Sequence, residues 1–562
     1  MRRESVGTAA IVFSVALLAT VPYLNTLGHG FLSWDDNIVI LGQPFLRSWS
    51  WENVWTVLSP LPAREEWLPL RDLTLLLTFS LLGNDPCWFA AGNVFLHATA
   101  SIAVFFLLWR LAGGRTAAAF GALLFACHAV HVESVTWLSG RKDPLSAIFL
   151  VCALLAHIRW RSGEGRYPTV LVLLVLAQLS KASSFVFPLW AIAYDLFYRR
   201  DLGLRSRVLS IVPYLVVALV GIVTFLVLIS TDGVIEEYPA GGLTTVLLTN
   251  VVLFKDYALA SLVPWRHQAI YDVRFVTSIL DLELWASVAF LAALGWFAWR
   301  FRSVPWISFG LAFFVANLIP YLNIVPHGIY YAERYLYLPS ITVSLWLGIA
   351  CGRMVEGEAT SIVLRRLVVL GLCLVLAIHA CLIAARNQVW ADSVTFWTYQ
   401  ASRLPEKPAP LMNLAETKEL SLDDAAAARI YAQVLDRFGE VPEAIFRLAR
   451  IARRQCDLPG ARALYELYAG LAPGDPRALN NLGETLLAQG DARGALEMFE
   501  KAVEKHSRYL LLRANLARVL ETQGRREEAL RHWRHILGHV ELVPQLELAR
   551  EAEARIAAPP RD

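Results

Sequence analysis

Several short stretches of this 562-residue chain put chemically capable side chains beside long apolar runs. FLSWDDN supplies Asp35 and Asp36. CHAVHVES supplies His128, His131 and Glu133. SGRKDP supplies Arg141, Lys142 and Asp143, LSKAS supplies Lys181, and YYAERYLYLPS supplies Glu333 and Arg334. An ionisable side chain at membrane depth costs about 2.5–3.5 kcal/mol or more, so its presence there points to function. Cations aimed at one place suit a phosphate or diphosphate leaving group, which makes Arg334, Arg141, Lys142 and Lys181 the phosphate-binding candidates. A carboxylate near them suits a general base, the role open to Asp35 or Asp36. His128, His131, Glu133, Asp143 and Glu333 are supporting candidates. Each has a plainer reading. Paired carboxylates in a loop are often only solvated, and Arg141-Lys142 is also what an interfacial anchor looks like. His128, His131 and Glu133 have metal-ligand spacing. Neither a third histidine nor a zinc-protease motif joins them, so a divalent metal is not expected.

These residues must be positioned by membrane helices. Apolar and aromatic residues make up 56% of the chain, charged residues only 18%, and the mean hydropathy is +0.47. A soluble domain carries about 25% charge, so neither a wholly soluble globule nor a disordered chain fits. A net charge of +3 argues for no nucleic-acid partner. Apolar runs near 11–24, 89–110, 116–135, 144–159, 168–182, 184–198, 207–229, 283–299, 304–322, 335–352 and 366–386 suggest about eleven spans, at about 20 residues per crossing. The first follows Arg2 and Arg3 without a small-residue cleavage site and reads as an uncleaved helix.

Arginine sets the expected orientation, because cytoplasmic loops collect Lys and Arg. With the N-terminus inside, Arg110 and Arg115, Arg159, Arg161 and Arg166, Arg199, Arg200, Arg205 and Arg207, Arg300 and Arg302, and Arg353, Arg365 and Arg366 all fall inside. The run 243–264 is broken by Asn250, Lys255 and Asp256 and is expected to lie at the outer surface. The candidate residues then share the outer face, and everything after 386 lies outside the cytoplasm.

Beyond 386 the material changes. Leu414, Leu448, Leu482 and Leu516 stand 34 residues apart, as do Ala427, Ala461, Ala495 and Ala529, and Tyr431, Tyr465, Phe499 and Trp533. This is the period of the tetratricopeptide repeat, a helix–turn–helix unit that needs neighbours to bury its apolar face. About four units are expected over 405–555, the first two without the turn glycine found at Gly490 and Gly524. Asn413, Asn481 and Asn515 share one repeat position, a tentative peptide-binding ladder that Arg447 interrupts. The expected fold is therefore all-α: a membrane domain over 1–386 with a first outer loop at 28–88, a linker at 387–404, and a repeat solenoid. Cys127, Cys152, Cys351, Cys373 and Cys381 read as small hydrophobes. No CxxC, Walker, GxSxG or GxGxxG motif occurs.

The ordered set FLSWDD, HAVHVESVTWLSGRKD, LSKASSFVFPLWAIAYDLF, AERYLYLPS and RNQVWADSVTFW, followed by the repeats, resembles the transmembrane and tetratricopeptide-repeat O-mannosyltransferases and their bacterial relatives, within the polytopic C-type (GT-C) glycosyltransferases. The resemblance runs nearly end to end. It implies a GT-C membrane fold with an acidic motif at Asp35-Asp36, and outer-face histidine and cation motifs at His128, His131, Glu133, Arg141, Lys142, Glu333 and Arg334. It also implies a polyprenyl-phosphate-linked sugar donor, a protein or peptide acceptor met by the repeats, and no certain cofactor beyond that donor. Ala129 stands where the family more often has proline. An Arg-rich, Lys-poor composition without an N-x-Ser/Thr sequon fits a bacterial inner-membrane protein with a periplasmic active face. Two rivals are a surface-glycan polymerase or ligase, and a non-catalytic membrane-anchored scaffold for envelope assembly. The scaffold reading leaves the one-face ionisable cluster without a role.

Overall fold

The computed structural model describes residues 2–60, 66–232, 237–326, 328–506, 509–539 and 546–557. Residues 61–65 of the expected outer loop lie outside that set. The described residues form helices and turns without a strand, in two compact units, Met1–Leu404 and Pro405–Asp562.

The first unit opens with α1 (Arg2–Thr20), α2 (Trp51–Leu58), α3 (Pro69–Leu82), α4 (Pro86–Ala112), α5 (Arg115–Ala126), α6 (Val132–Thr136) and α7 (Lys142–Arg161). It continues through α8 (Tyr167–Gln178), α9 (Phe187–Phe197), α10 (Leu204–Asp232), α11 (Gly242–Ala260) and α12 (Leu282–Arg300). It closes with α13 (Pro305–Leu318), α14 (Ser340–Glu356), α15 (Ile362–Asn387) and α16 (Ser393–Arg403). Among the described residues seven helices are long and apolar enough to cross a bilayer, or eight counting the bent pair of α5 with 129–136. Shorter apolar helices cover Tyr167–Gln178, Ala182–Phe197 and Pro305–Tyr321.

Side-chain contacts sort the helix ends into two groups. Arg110 pairs with Glu164 at 2.8 Å, Tyr198 bonds the Leu111 carbonyl at 3.0 Å, Arg161 pairs with Asp195, and Arg200 bonds the Arg302 carbonyl at 3.1 Å. Those are the arginine-rich ends. At the other end Asn387 donates to Asn25 at 2.8 Å, and Leu70 N–H to the Leu179 carbonyl at 3.0 Å. Helix α11 has the length and composition of a span, and three hydrogen bonds of its region are made to residues at this second end. Tyr238, just before it, bonds the Ile324 carbonyl at 2.5 Å, Asn250 the Leu322 carbonyl at 2.6 Å, and the Tyr257 hydroxyl the Ala332 N–H at 3.2 Å.

Helices α5 and α14 pack closely because small residues face each other. A Cβ at Gly348 would stand 2.5 Å from the Ala117 carbonyl, and one at Gly121 2.5 Å from that of Ser344. Without a hydrophobic drive between helices in lipid, such backbone approach holds a pair together. The consequence reaches the site, since α5 leads into Glu133 and α14 follows Arg334. Residues 387–404, expected as a linker, instead belong to the first unit. Trp390, Phe396 and Trp397 are buried, with Trp34 between 5.4 and 6.4 Å from their ring centres. Aromatic burial of that size outweighs the polar residues that made the segment look like a spacer.

The second unit pairs α17 (Pro408–Leu420) with α18 (Asp424–Phe438), α19 (Pro442–Arg454) with α20 (Leu458–Leu471), α21 (Pro476–Ala488) with α22 (Ala492–Lys505), and α23 (Leu510–Thr522) with α24 (Arg526–Leu537); α25 (Leu546–Ala557) follows. Tyr431, Tyr465, Phe499 and Trp533 are fully buried, one per unit. Where the last two units turn on Gly490 (φ 84°) and Gly524 (φ 75°), the first two use Leu422 (φ 61°) and Cys456 (φ 62°). A left-handed backbone costs an L-residue about 1–2 kcal/mol and glycine almost nothing. Leu422 is 89% exposed, so its side chain contributes no packing to lose. Leu422→Gly and Cys456→Gly are expected to stabilise the repeats by about 1 kcal/mol each. Amide hydrogen exchange of α17–α20 in the full chain should slow accordingly; unchanged or faster exchange would contradict the strain.

Candidate active site

The bend between α5 and α6 delivers the first histidine motif. A 44° break separates the two halves, and the polar residues of the second half turn into protein. His128 Nε2 lies 3.0 Å from the Ser261 carbonyl and His131 Nε2 2.9 Å from Ser340 Oγ. His97, which the sequence reading passed over, bridges the Ala126 carbonyl and the Tyr337 hydroxyl at 3.0 and 2.8 Å. These imidazoles tie α4, α5 and the segment before α14 together. Among the described residues no three of His, Cys, Asp and Glu converge as metal ligands would.

Glu133 is fully buried and faces Arg334. Its carboxylate accepts from the Arg334 guanidinium and, at 2.9 Å, from the Arg334 backbone N–H. Glu333 points elsewhere, to His267 at 3.1 Å and Arg386 at 3.5 Å. Arg334 therefore does not pair with its sequence neighbour, and its guanidinium is engaged by Glu133, which arrives from the adjoining helix. A charge at that depth is stable only when paired. Arg386 had drawn no assignment. It also bonds the Ala129 carbonyl at 3.2 Å and the Arg266 carbonyl at 3.1 Å, tying the end of α15 to both motifs.

Lys181 pairs with Asp143, which Ser134 also contacts at 2.8 Å. The ammonium stands 5.4 Å from the centre of the Tyr321 ring, and Tyr321 stacks on Tyr335 with centroids 3.7 Å apart. Lys181, Asp143 and Arg334 line one small cavity with Ser146, Ser183, Asn317 and Tyr321. Its volume is about 20 Å³, room for one water.

The other two candidate cations turn away from that cavity. Arg141 is buried among neutral acceptors: Asn93 Oδ1 at 3.0 Å, the Thr74 carbonyl and Thr78 Oγ1 at 3.0 Å, and the Phe89 carbonyl at 3.1 Å. With four of its five N–H donors taken, it clamps α3 and α4 onto the 138–141 turn. Lys142 pairs with Glu66 at 2.6 Å, as Arg71 does at 2.6 Å. Burial pushes the Glu66 carboxyl up, and these two cations pull it down further, to about 2.

The two loop carboxylates differ. Asp36 is fully buried, its oxygens accepting from Leu32 N–H at 3.0 Å, Ser139 N–H at 3.0 Å and Ser139 Oγ at 2.5 Å. Burial pushes it up from 3.8 to about 6, with the Ser139 and Leu32 bonds pulling back. Asp35 is only half-buried. Its neighbour Trp34 stacks on Trp137 at 5.1 Å, and the Arg334 guanidinium lies 5.7 Å from the centre of the Trp137 ring. One aromatic stack thus joins the acidic loop to the cation pair.

In the repeats the asparagine positions do not form a continuous row. Asn413 is half-buried, and Asn481 Nδ2 bonds the Arg477 carbonyl of its own helix at 2.8 Å. Asn515 bonds Asn480 at 2.7 Å and accepts from Arg518 at 2.5 Å. The same face alternates charge at 34-residue steps, through Glu416, Arg450, Glu484 and Arg518. Ion pairs such as Arg447–Glu416 at 3.1 Å and Arg453–Glu484 at 2.5 Å join successive units.

Comparison with known proteins adds a second line. Tetratricopeptide-repeat profiles match residues 424–476 and 486–537. Mouse protein O-mannosyl-transferase TMTC3 is 25% identical over 443 residues, covering 70% of this chain and 47% of the relative. Its human counterpart is 24% identical over 444 residues, covering 70% and 48%. Its relatives are TMTC-type protein O-mannosyl-transferases. Drosophila melanogaster Tmtc2 is 34% identical over 161 residues, 26% of this chain and 17% of that one. The chain spans about half the length of the TMTC3 proteins it matches. The chain joins helices long and apolar enough to cross a membrane to tetratricopeptide repeats, and it is an integral membrane protein.

Proposed function

We propose that this chain is an integral-membrane GT-C-type glycosyltransferase. In this reading it moves a sugar, a hexose such as mannose, from a polyprenyl-phosphate donor to Ser or Thr hydroxyls of a protein. The observation that carries the reading is Lys181 and Arg334 lining one cavity, joined through Trp137 and Trp34 to Asp35. The TMTC-type relatives supply the reaction class. The donor phosphate meets Arg334 and Lys181. Asp35 removes the acceptor hydroxyl proton as that oxygen attacks the anomeric carbon. The bond from the anomeric carbon to the phosphate oxygen breaks, its electron pair stays on the phosphate, and the centre inverts. The leaving phosphate is already ionised and stabilised by two cations, so no general acid is required, unlike in glycoside hydrolysis. No cofactor beyond the lipid-linked donor is invoked. The repeats hold the acceptor.

We place the site and repeats on the periplasmic face of a bacterial inner membrane, supported by arginine gathered at the opposite helix ends. A phosphatase fused after residue 400 should then be active, and a cytoplasmic reporter silent. The reverse result would mean that α11 crosses. Mass spectrometry of the envelope proteome with and without the chain tests the reaction. Loss of hexose from Ser and Thr peptides is the expected result, and an unchanged pattern would refute the assignment.

A further inference from the structure

We propose that the first outer loop is seated on the lipid bilayer by the tryptophan face of α2, a segment to which the reaction assigns no part. Helix α2, WENVWTVL, is capped by Ser50 Oγ accepting from Asn53 N–H at 3.1 Å. One side is core: Val57 is fully buried in a cluster with Ile40, Leu46, Leu75, Leu76 and Phe89, and Val54 packs against it. The other side is apolar too, and open. Trp51 is 79% exposed, Trp55 65% and Leu58 41%, at the i, i+4, i+7 spacing of one helix face, with Trp49 (59%) just before them in the chain. Arg47 and Glu52 are the only charged residues between 44 and 60.

A helix apolar on both sides has two things to cover. Its inner side already has the core, so the outer side needs another apolar neighbour. The chain shows which one. Helix α3, packed against α2, exposes Leu77, Leu81 and Leu82, and leads within a few residues to Trp88 and Phe95 on the open side of α4. Helix α4 is itself long and apolar enough to be a span. The open face is thus continuous along the chain with a lipid-facing surface. Tryptophan is the residue that favours the headgroup boundary, where its ring is buried and its N–H stays hydrated. An amphipathic helix lying in that plane embeds its apolar side a few ångströms deep. Because Val54 and Val57 carry the 37–46 segment on their inner side, the bilayer would fix the depth of Asp35 and Asp36. This inference rests on the chain being a membrane protein and is independent of the reaction assigned to it.

The test uses the full chain in its membrane. p-Benzoylphenylalanine at position 51 or 55, photoactivated, is expected to give phospholipid adducts several-fold more often than at position 52. Adducts with a second copy or another protein, or no lipid preference over position 52, would overturn the proposal. A measurement without substitution guards against misfolded variants. In nanodiscs, hydroxyl radicals should oxidise Trp51 and Trp55 less than Tyr509 in the repeats, although Tyr509 is only 43% exposed in the protein alone. Oxidation of Trp51 and Trp55 several-fold above Tyr509 would show the face open to water and refute the seat.

Discussion

Asp35→Asn is expected to lower sugar transfer by about 10²–10⁴-fold while leaving membrane insertion and thermal stability unchanged, the loss typical of removing a general base. The two neighbouring carboxylates are separated by what surrounds them. Asp36 accepts from two backbone N–H groups and a serine hydroxyl in full burial, so it is committed to holding the loop against the 138–141 turn. Asp35 is half-buried at the end of the stack leading to Arg334. Asp36→Ala should therefore act through structure. It leaves three donors without an acceptor, and an unsatisfied buried donor costs about 1–3 kcal/mol. The expected signature is a lowered unfolding temperature together with lost activity. Asp36 also gives the loop a pH dependence. Its folded value of about 6 lies above its ordinary 3.8, so the folded state binds more protons in that window. Stability then falls as pH rises through it and levels off above about 6. Turnover with donor and acceptor saturating, set beside melting curves for both variants, decides the assignment. Normal transfer by Asp35→Asn would remove the base from this loop.

The same contrast explains what the sequence disclosed. Ionisable residues beside apolar runs stand out because membrane depth penalises them, so Glu133, Lys181 and Arg334 were legible as candidates without any contact being known. Their partners were not. Glu133 and Arg334 are 201 positions apart, and only the close approach of α5 to α14 makes them meet. Arg141 looked like Lys142 in sequence, yet one is enclosed by neutral oxygens of α3 and α4 and the other faces Glu66. The 34-residue period gave the repeat units directly, since each buries one aromatic at the same step. The missing turn glycines looked like degeneration; in the fold Leu422 and Cys456 keep the glycine conformation at an energetic cost. Trp34, Trp137, Trp390 and Trp397 carried no signal of their own, because rings that stack between distant parts of the chain leave no local period to detect.

Lys181→Met is expected to raise the donor concentration needed for half-maximal transfer by about 10–100-fold, the loss of one charge-assisted hydrogen bond worth about 1.5–3 kcal/mol. Removal of Lys181 takes the counter-ion from the buried Asp143, which keeps only its bond to Ser134, so donor dependence is read on the folded fraction fixed by a melting curve. Arg334 needs a gentler change. Arg334→Ala would strand the fully buried Glu133 without a counter-ion, and breaking a buried pair from one side costs about 3–5 kcal/mol. A failure of that variant would therefore say nothing about donor binding. Arg334→Lys keeps the positive charge near Glu133. It loses the planar fork by which a guanidinium can hold a carboxylate and a phosphate at once. Donor dependence should weaken by about tenfold or more, with acceptor binding to the repeats unchanged. Combined with Lys181→Met the two losses should fall short of additive, as for groups sharing one ligand. Arg141→Lys supplies the contrast: its guanidinium holds α3 and α4 to the 138–141 turn, so stability should drop while the donor dependence of the surviving folded enzyme stays as it was. Transfer rates measured against lipid-linked donor in nanodiscs distinguish these cases. Unaltered donor dependence in both Lys181→Met and Arg334→Lys would take the phosphate out of this cavity and leave Lys142, facing Glu66, as the remaining cation to test.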